Sequence, residues 1–261
     1  MLCQQWRSLI RIRGLVWART GNHTANEALL LGHSHFNGRT LATADMRHLL
    51  LIIVLPALCL ACLAQAGKVE TLGSPTDSGV PAAIIQVLDS QGTRLKLTDG
   101  SPVCDIRLRR SVPTRTTKES NGLLYPQLSE STLVGVISFP QATTDYRGQP
   151  IAPGAYTLRY ELIPDDGNHL GVAPNRDFLL LVPAAADTDP AADLKFDEVV
   201  QMSRKATGTN HPGPLSLTQA SGSTPALTKD AEDHWIFSGT LKLDSGKDLP
   251  FALIVKGMAA Q

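Results

Sequence analysis

The residues of this chain best suited to chemistry lie in one short stretch. Asp165-Asp166-Gly167-Asn168-His169 is followed a few residues later by Asn175, Arg176 and Asp177. Carboxylate and amide oxygens gathered on one loop can hold Ca²⁺, whereas His with Asp can hold a transition metal or act as a base. The ligand-binding candidates are therefore Asp165, Asp166, His169, Arg176 and Asp177. A metal centre would draw on His169, Asp177 and His211, which requires residues far apart in sequence to converge. Its spacing is not that of the EF-hand loop, and neither H-x-H nor H-E-x-x-H occurs from Gly67 onward. D-D-G-N is also what a plain turn between two strands looks like. With no G-x-S-x-G element present, no catalytic residue is assigned. No motif demands a cofactor; Ca²⁺ or a transition metal at this loop is the one candidate.

The elements around that loop must position it. Tyr156, Leu158, Tyr160 and Leu162 alternate with Thr157, Arg159 and Glu161, the pattern of a half-buried strand with one apolar and one polar face. Two turns precede it, at Arg147-Gly148-Gln149 and at Pro153-Gly154. R-D-F-L-L-L-V-P follows the loop as another strand, closed by Pro183. Upstream, T-L-V-G-V-I-S-F-P is apolar on both faces, which predicts a central strand. Asp99-Gly100 sits between two alternating runs and predicts a hairpin. Arg94, Lys96, Arg107 and Arg109 lie on its polar face and read as solvated. Cys104, on the apolar side, reads as a small core residue.

A short helix is expected after Val80, with Ser78 as cap, Pro81 in its first turn and Gly92 as its stop. A second is expected between Asp193 and Ala206, with acids at its start and Arg204 and Lys205 at its end. The C-terminal part returns to strands, the last two joined by a turn at Ser245-Gly246-Lys247. These elements predict a mainly β chain: residues 80–261 form a single antiparallel β-sandwich of about seven or eight strands with two short helices, preceded by a polar leader at 67–79.

Met46-Arg47-His48, an apolar run from Leu49 to Ala64 and the step Ala64-Gln65-Ala66 have the layout of a signal peptide over residues 46–66, with cleavage before Gly67. Residues 1–45 read as a disordered over-extension upstream of a true start at Met46. Cys62 is a candidate for lipid attachment. The expected location is therefore outside the cytoplasm, periplasmic or extracellular, with contact to a membrane only through the signal peptide or that lipid.

The 261 residues are 43% hydrophobic and 18% charged, within the globular range. Residues 1–66 hold six of the 24 basic residues and two of the 24 acids, leaving 18 bases against 22 acids in the rest. A mildly acidic body argues against a nucleic-acid partner, because phosphate binding rests on concentrated Lys and Arg.

The stretch G-Q-P-I-A-P-G-A-Y-T-L resembles the hairpin of a family of secreted bacterial β-sandwich proteins of unknown function, written G-x-x-[IL]-x-[AP]-G-x-Y-[ST]-L. Gly148, Ile151, Pro153, Gly154, Tyr156, Thr157 and Leu158 match it, and the resemblance spans roughly Leu133 to Pro183. It implies a fold and a compartment without an activity. Two readings follow. One is a non-catalytic binding or structural module of the cell envelope with a protein or carbohydrate partner, since sandwich scaffolds carry function on their loops. The other is a metal-dependent hydrolase sited in the 165–177 loop.

Overall fold

The structure is a computed structural model that describes residues 65–75, 79–114, 122–164 and 175–259. All of these belong to the compact unit Ala57–Gln261; the chain's other unit, Met1–Pro56, lies outside the described residues. Met46, the apolar run to Ala64, Cys62 and Ser78 are also outside them, as are Asp165, Asp166 and His169.

Ten strands form one antiparallel sheet: β1 Lys68–Leu72, β2 Gly92–Lys96, β3 Pro102–Leu108, β4 Leu133–Phe139, β7 Gly154–Leu162, β8 Asp177–Pro183, β9 Pro214–Thr218, β10 Ala226–Lys229, β11 Trp235–Lys242 and β12 Asp248–Lys256. Their spatial order is β1-β2-β3-β4-β7-β8-β9-β12-β11-β10. The two outer members nearly meet, because the Gly67 N–H donates to Leu227 O at 2.8 Å and the Lys229 N–H to Gln65 O at 2.9 Å. The sheet is thus nearly closed into a barrel. A separate pair, β5 Thr143–Thr144 and β6 Pro150–Ile151, stands beside it. The mainly β class and two helices stand as read, but the main sheet has ten strands. Part of the difference is β1, which forms within the stretch read as a polar leader.

The Asp99-Gly100 hairpin forms as expected, with Gly100 at φ +88° and Leu95 opposite Cys104. Leu95, Cys104, Ile106, Ile137, Leu158, Tyr160, Leu179, Leu217, Phe237 and Leu253 fill the interior. Burial pushes the Cys104 thiol well above its ordinary value, as suits a core residue rather than a reactive one. The basic face is paired rather than merely solvated: Arg94 bridges Asp105 at 2.7 Å and Lys96 bridges Glu70 at 2.8 Å. Among the described residues no helix is long and apolar enough to cross a membrane.

One side of the barrel is covered. Helix α1, Ala82–Val87, starts after Pro81 and lays Ile84 with Leu88 over Leu133 and Val136 of β4. This explains why β4 is apolar on both faces. Gly92 does not stop that helix; it opens β2, where a Cβ would come within 2.9 Å of the Arg107 side chain. Helix α2, Phe196–Thr207, ends at Gly208 with φ +67° and packs Val199 and Val200 on Phe178, Leu180 and Val182 of β8. Its Glu198 carboxylate accepts the Lys195 N–H at 2.8 Å, closing the first turn.

The polar face of β7 is not solvated. Thr157, Arg159 and Glu161 are all fully buried, and the strap from Ala184 to Leu194 crosses above Thr157 and Arg159 before entering α2. Arg159 clips the strap down. Its Nε and Nη2 donate to the two Asp187 carboxylate oxygens at 2.9 and 2.7 Å, Nη2 donates also to Asp189 O, and Nη1 donates to Ser131 O and Ala192 O.

A candidate ligand pocket beside the second helix

The sheet separates Asp177 from His211, two of the three residues singled out for a metal centre; the third, His169, lies outside the described residues. Asp177 begins β8 and points inward, where its carboxylate accepts the N–H of Leu124 at 2.9 Å and of Tyr125 at 3.0 Å, and the hydroxyl of Tyr160 at 2.6 Å. These three donors satisfy it internally and pin the chain at 124–125 against the open end of the barrel. The Tyr160 hydroxyl is pushed far above its ordinary value by burial and by that carboxylate. Arg176 donates through Nε to Ile163 O at 3.1 Å, across the mouth of the loop. His211 is exposed and lies with Phe178, on the opposite face of the sheet from Asp177. Among the described residues no three His, Cys, Asp or Glu side chains gather as a metal site would require. His234 is committed to the fold, with Nδ1 3.1 Å from Asp230 and Nε2 3.0 Å from Met258 O.

What the outer face does contain is a cavity of about 240 Å³. Its floor is Phe178 of β8 and Ser216 of β9, with Ile163 just past β7. Phe196 and Val200, one helical turn apart on α2, form one wall. Tyr146, Arg147, Pro164, His211, Pro212 and Pro214 complete it.

Two loops hold the far wall, and both are stitched by Gln149 and Asp145. The buried Asp145 carboxylate accepts the N–H of Arg147 at 2.9 Å, the N–H of Gln149 at 2.8 Å and the Gln149 side-chain amide at 2.7 Å. Burial raises this carboxyl above its ordinary value, and those hydrogen bonds oppose the rise. The same Gln149 amide donates to Pro212 O at 2.8 Å, while its oxygen accepts the Thr209 hydroxyl at 2.7 Å. The Gly213 N–H donates to Ser203 Oγ of α2 at 2.9 Å, which ties the second loop to the helix. Tyr146 is fixed at both backbone groups, its N–H donating to Pro214 O and its carbonyl accepting the Ala259 N–H.

Among the described residues the lining is mostly hydrocarbon, with the Arg147 guanidinium and the His211 imidazole as its basic side chains and no carboxylate. Such a site can desolvate an apolar group and offer charge-assisted hydrogen bonds at its rim. Periodicity in the sequence finds each wall separately but not their meeting, since α2, β8 and the Tyr146 turn are brought together only by the sheet. Comparison of the chain with protein-family models, with curated proteins and with solved structures gives no match.

Proposed function

We propose that this protein is an exported, non-catalytic module of the cell envelope that binds a polypeptide partner through the pocket beside α2. The carrying observation is the apolar cavity of about 240 Å³ with Arg147 and His211 among its walls and no acid among its described lining residues. A cavity of roughly 150 Å³ accommodates a benzene ring, so this one suits a single aromatic or branched aliphatic side chain. The basic groups favour an acidic residue beside that anchor. A sugar, with hydroxyls around its whole edge, would leave most of them facing hydrocarbon.

Export rests on the Met46–Ala66 pattern, whose Ala64-Gln65-Ala66 step comes immediately before the first strand. The matched hairpin supports kinship with the secreted β-sandwich family: Gly148 and Gly154 hold φ of +83° and +147°, and Tyr156 and Leu158 point into the core. In this reading the nearly closed sheet is a flattened barrel, a sandwich whose two layers share β9. The contact between β3 and β12 across the interior fits that shape.

Titration of isotope-labelled protein with a short acidic peptide carrying one Phe tests the reading by amide shifts. Shifts should centre on Tyr146, Val200 and His211 and vanish in Val200→Arg, with the fold retained. Absent shifts, or shifts that Val200→Arg leaves in place, would overturn it.

A further inference from the structure

Among the described residues Glu161 is the one buried carboxylate whose oxygens receive no hydrogen bond. Asp145, Asp177 and Asp187 are buried as deeply, and each holds several donors. Glu161 stands on the outer face of β7 opposite Phe178 of β8. Arg159 precedes it on that face and Ile163 follows.

Above this row runs the strap. Ser131 Oγ accepts the Leu194 N–H at 2.9 Å and donates to Ala192 O at 3.2 Å, while Leu194 and Ile163 pack in the Phe178–Val200 cluster. The carboxyl group is therefore sealed in where the strap becomes α2. The charged groups around it give no relief. Glu130, before β4, is a like charge, and Arg159 is spent on Asp187, Ser131 and the strap carbonyls. Asp187 on the strap is fully engaged by Arg159 and the Thr157 hydroxyl. β8 brings only Phe178 and Leu180, and Asp193, Lys195, Asp197 and Glu198 at the start of α2 are exposed. The nearby Ser131 N–H is given to Tyr160 O at 2.8 Å.

We propose that Glu161 is a proton-operated latch: the carboxyl is neutral while the strap 184–194 and α2 are seated on the sheet, and its ionisation lifts them off. A neutral carboxyl tolerates this enclosure, but an anion there is shut off from solvent, and the one donor nearby, the Ser131 N–H, is already given to Tyr160 O. The end of the strap and α2 lie over this part of the sheet, where Phe178 of β8 and the Ser131 backbone flank Glu161. Burial pushes the seated carboxyl up to about 8, with Glu130 adding to the rise and the nearby Ser131 N–H and Arg159 opposing it. Once the strap is lifted, Glu161 is in water with the ordinary value of 4.5. The lifted state therefore gains by ionising across the interval between those two values, and nothing further above it. Opening should rise about tenfold per pH unit through that interval and then level off. The latch requires no ligand and stands whether or not the pocket binds one.

Residue-resolved hydrogen exchange on the full chain, from about pH 5 to about pH 9 and corrected for intrinsic rates, tests the latch. In the wild type the Leu194 and Val199 amides should lose protection about tenfold per unit until near pH 8, and in Glu161→Gln they should not. The Tyr160 and Arg109 amides, bonded within the sheet to Thr132 O and Val134 O, serve as the reference. A flat wild-type profile would overturn the proposal, as would a pH dependence that survives in Glu161→Gln. Reference amides that track the strap one for one would also overturn it, since opening would then be global unfolding. Should Glu161→Gln fail to fold, Glu161→Met carries the same expectation.

Discussion

Tyr125 shows how much one side chain can do here. Its hydroxyl donates to Thr218 O at 2.6 Å and accepts the Ala252 N–H at 2.9 Å, so it stands in for a missing rung between β9 and β12. Burial pushes that hydroxyl up to about 12, well away from ionisation. Tyr125→Phe keeps the ring in place and orphans one buried donor and one buried acceptor. The expected cost is about 1–3 kcal/mol, read as a lower urea midpoint with an unchanged slope. At this scale the sequence is a poor guide. Tyr125 lies in a segment that reads as loop, and Arg159 occupies the polar phase of an alternating strand. Asp177 looks like a ligand because it follows a cluster of acids and amides. What decides each role is the partner supplied from 17 to 127 residues away.

Elements were far more legible, because period and turn chemistry are local properties. The continuous apolar run of β4, the alternation of β7, the Asp99-Gly100 hairpin and both helices are each written in a few adjacent residues. Gly135 is an exception that only pairing explains. It faces Leu108 in the register of β3 and β4, and a Cβ there would strike the Arg107 carbonyl oxygen. Gly135→Ala should cost about 1–3 kcal/mol through forced separation of the two strands. Gly100, by contrast, has open space and a φ of +88°, so Gly100→Ala should cost only about 1–2 kcal/mol of backbone strain. Chemical denaturation of the pair distinguishes them: the first should also weaken protection of the Arg109 amide, which bonds to Val134 O, and the second should not.

For the whole molecule, the seam between β1 and β10 is the weakest closure, since it rests on the bonds of Gln65 and Gly67. A Cβ at Gly67 would come within 2.5 Å of Leu227 Cδ2 and 2.7 Å of Lys96 O. Gly67→Val should therefore open the seam, seen as faster exchange of the Lys229 amide while the β7–β8 amides keep their protection. Signal cleavage before Gly67 bears on the same place. It would leave the Gly67 nitrogen to reach Leu227 O but would remove Gln65 and the bond it accepts from Lys229. In the proposed reading the cleavage step and the last rung of the sheet thus share Gln65, Ala66 and Gly67.

By itself the sequence determined the class of the fold, its described turns and its helices, because each depends on neighbours within about a dozen positions. Only the tertiary structure decided which polar residues are buried. Thr157, Arg159 and Glu161 repeat every second residue whether they face water or a strap, and nothing local reveals that residues 184–194 fold back across them. The same long-range closure put Asp177 and His211 on opposite faces of the sheet and built an apolar pocket from α2, β8 and the Tyr146 turn.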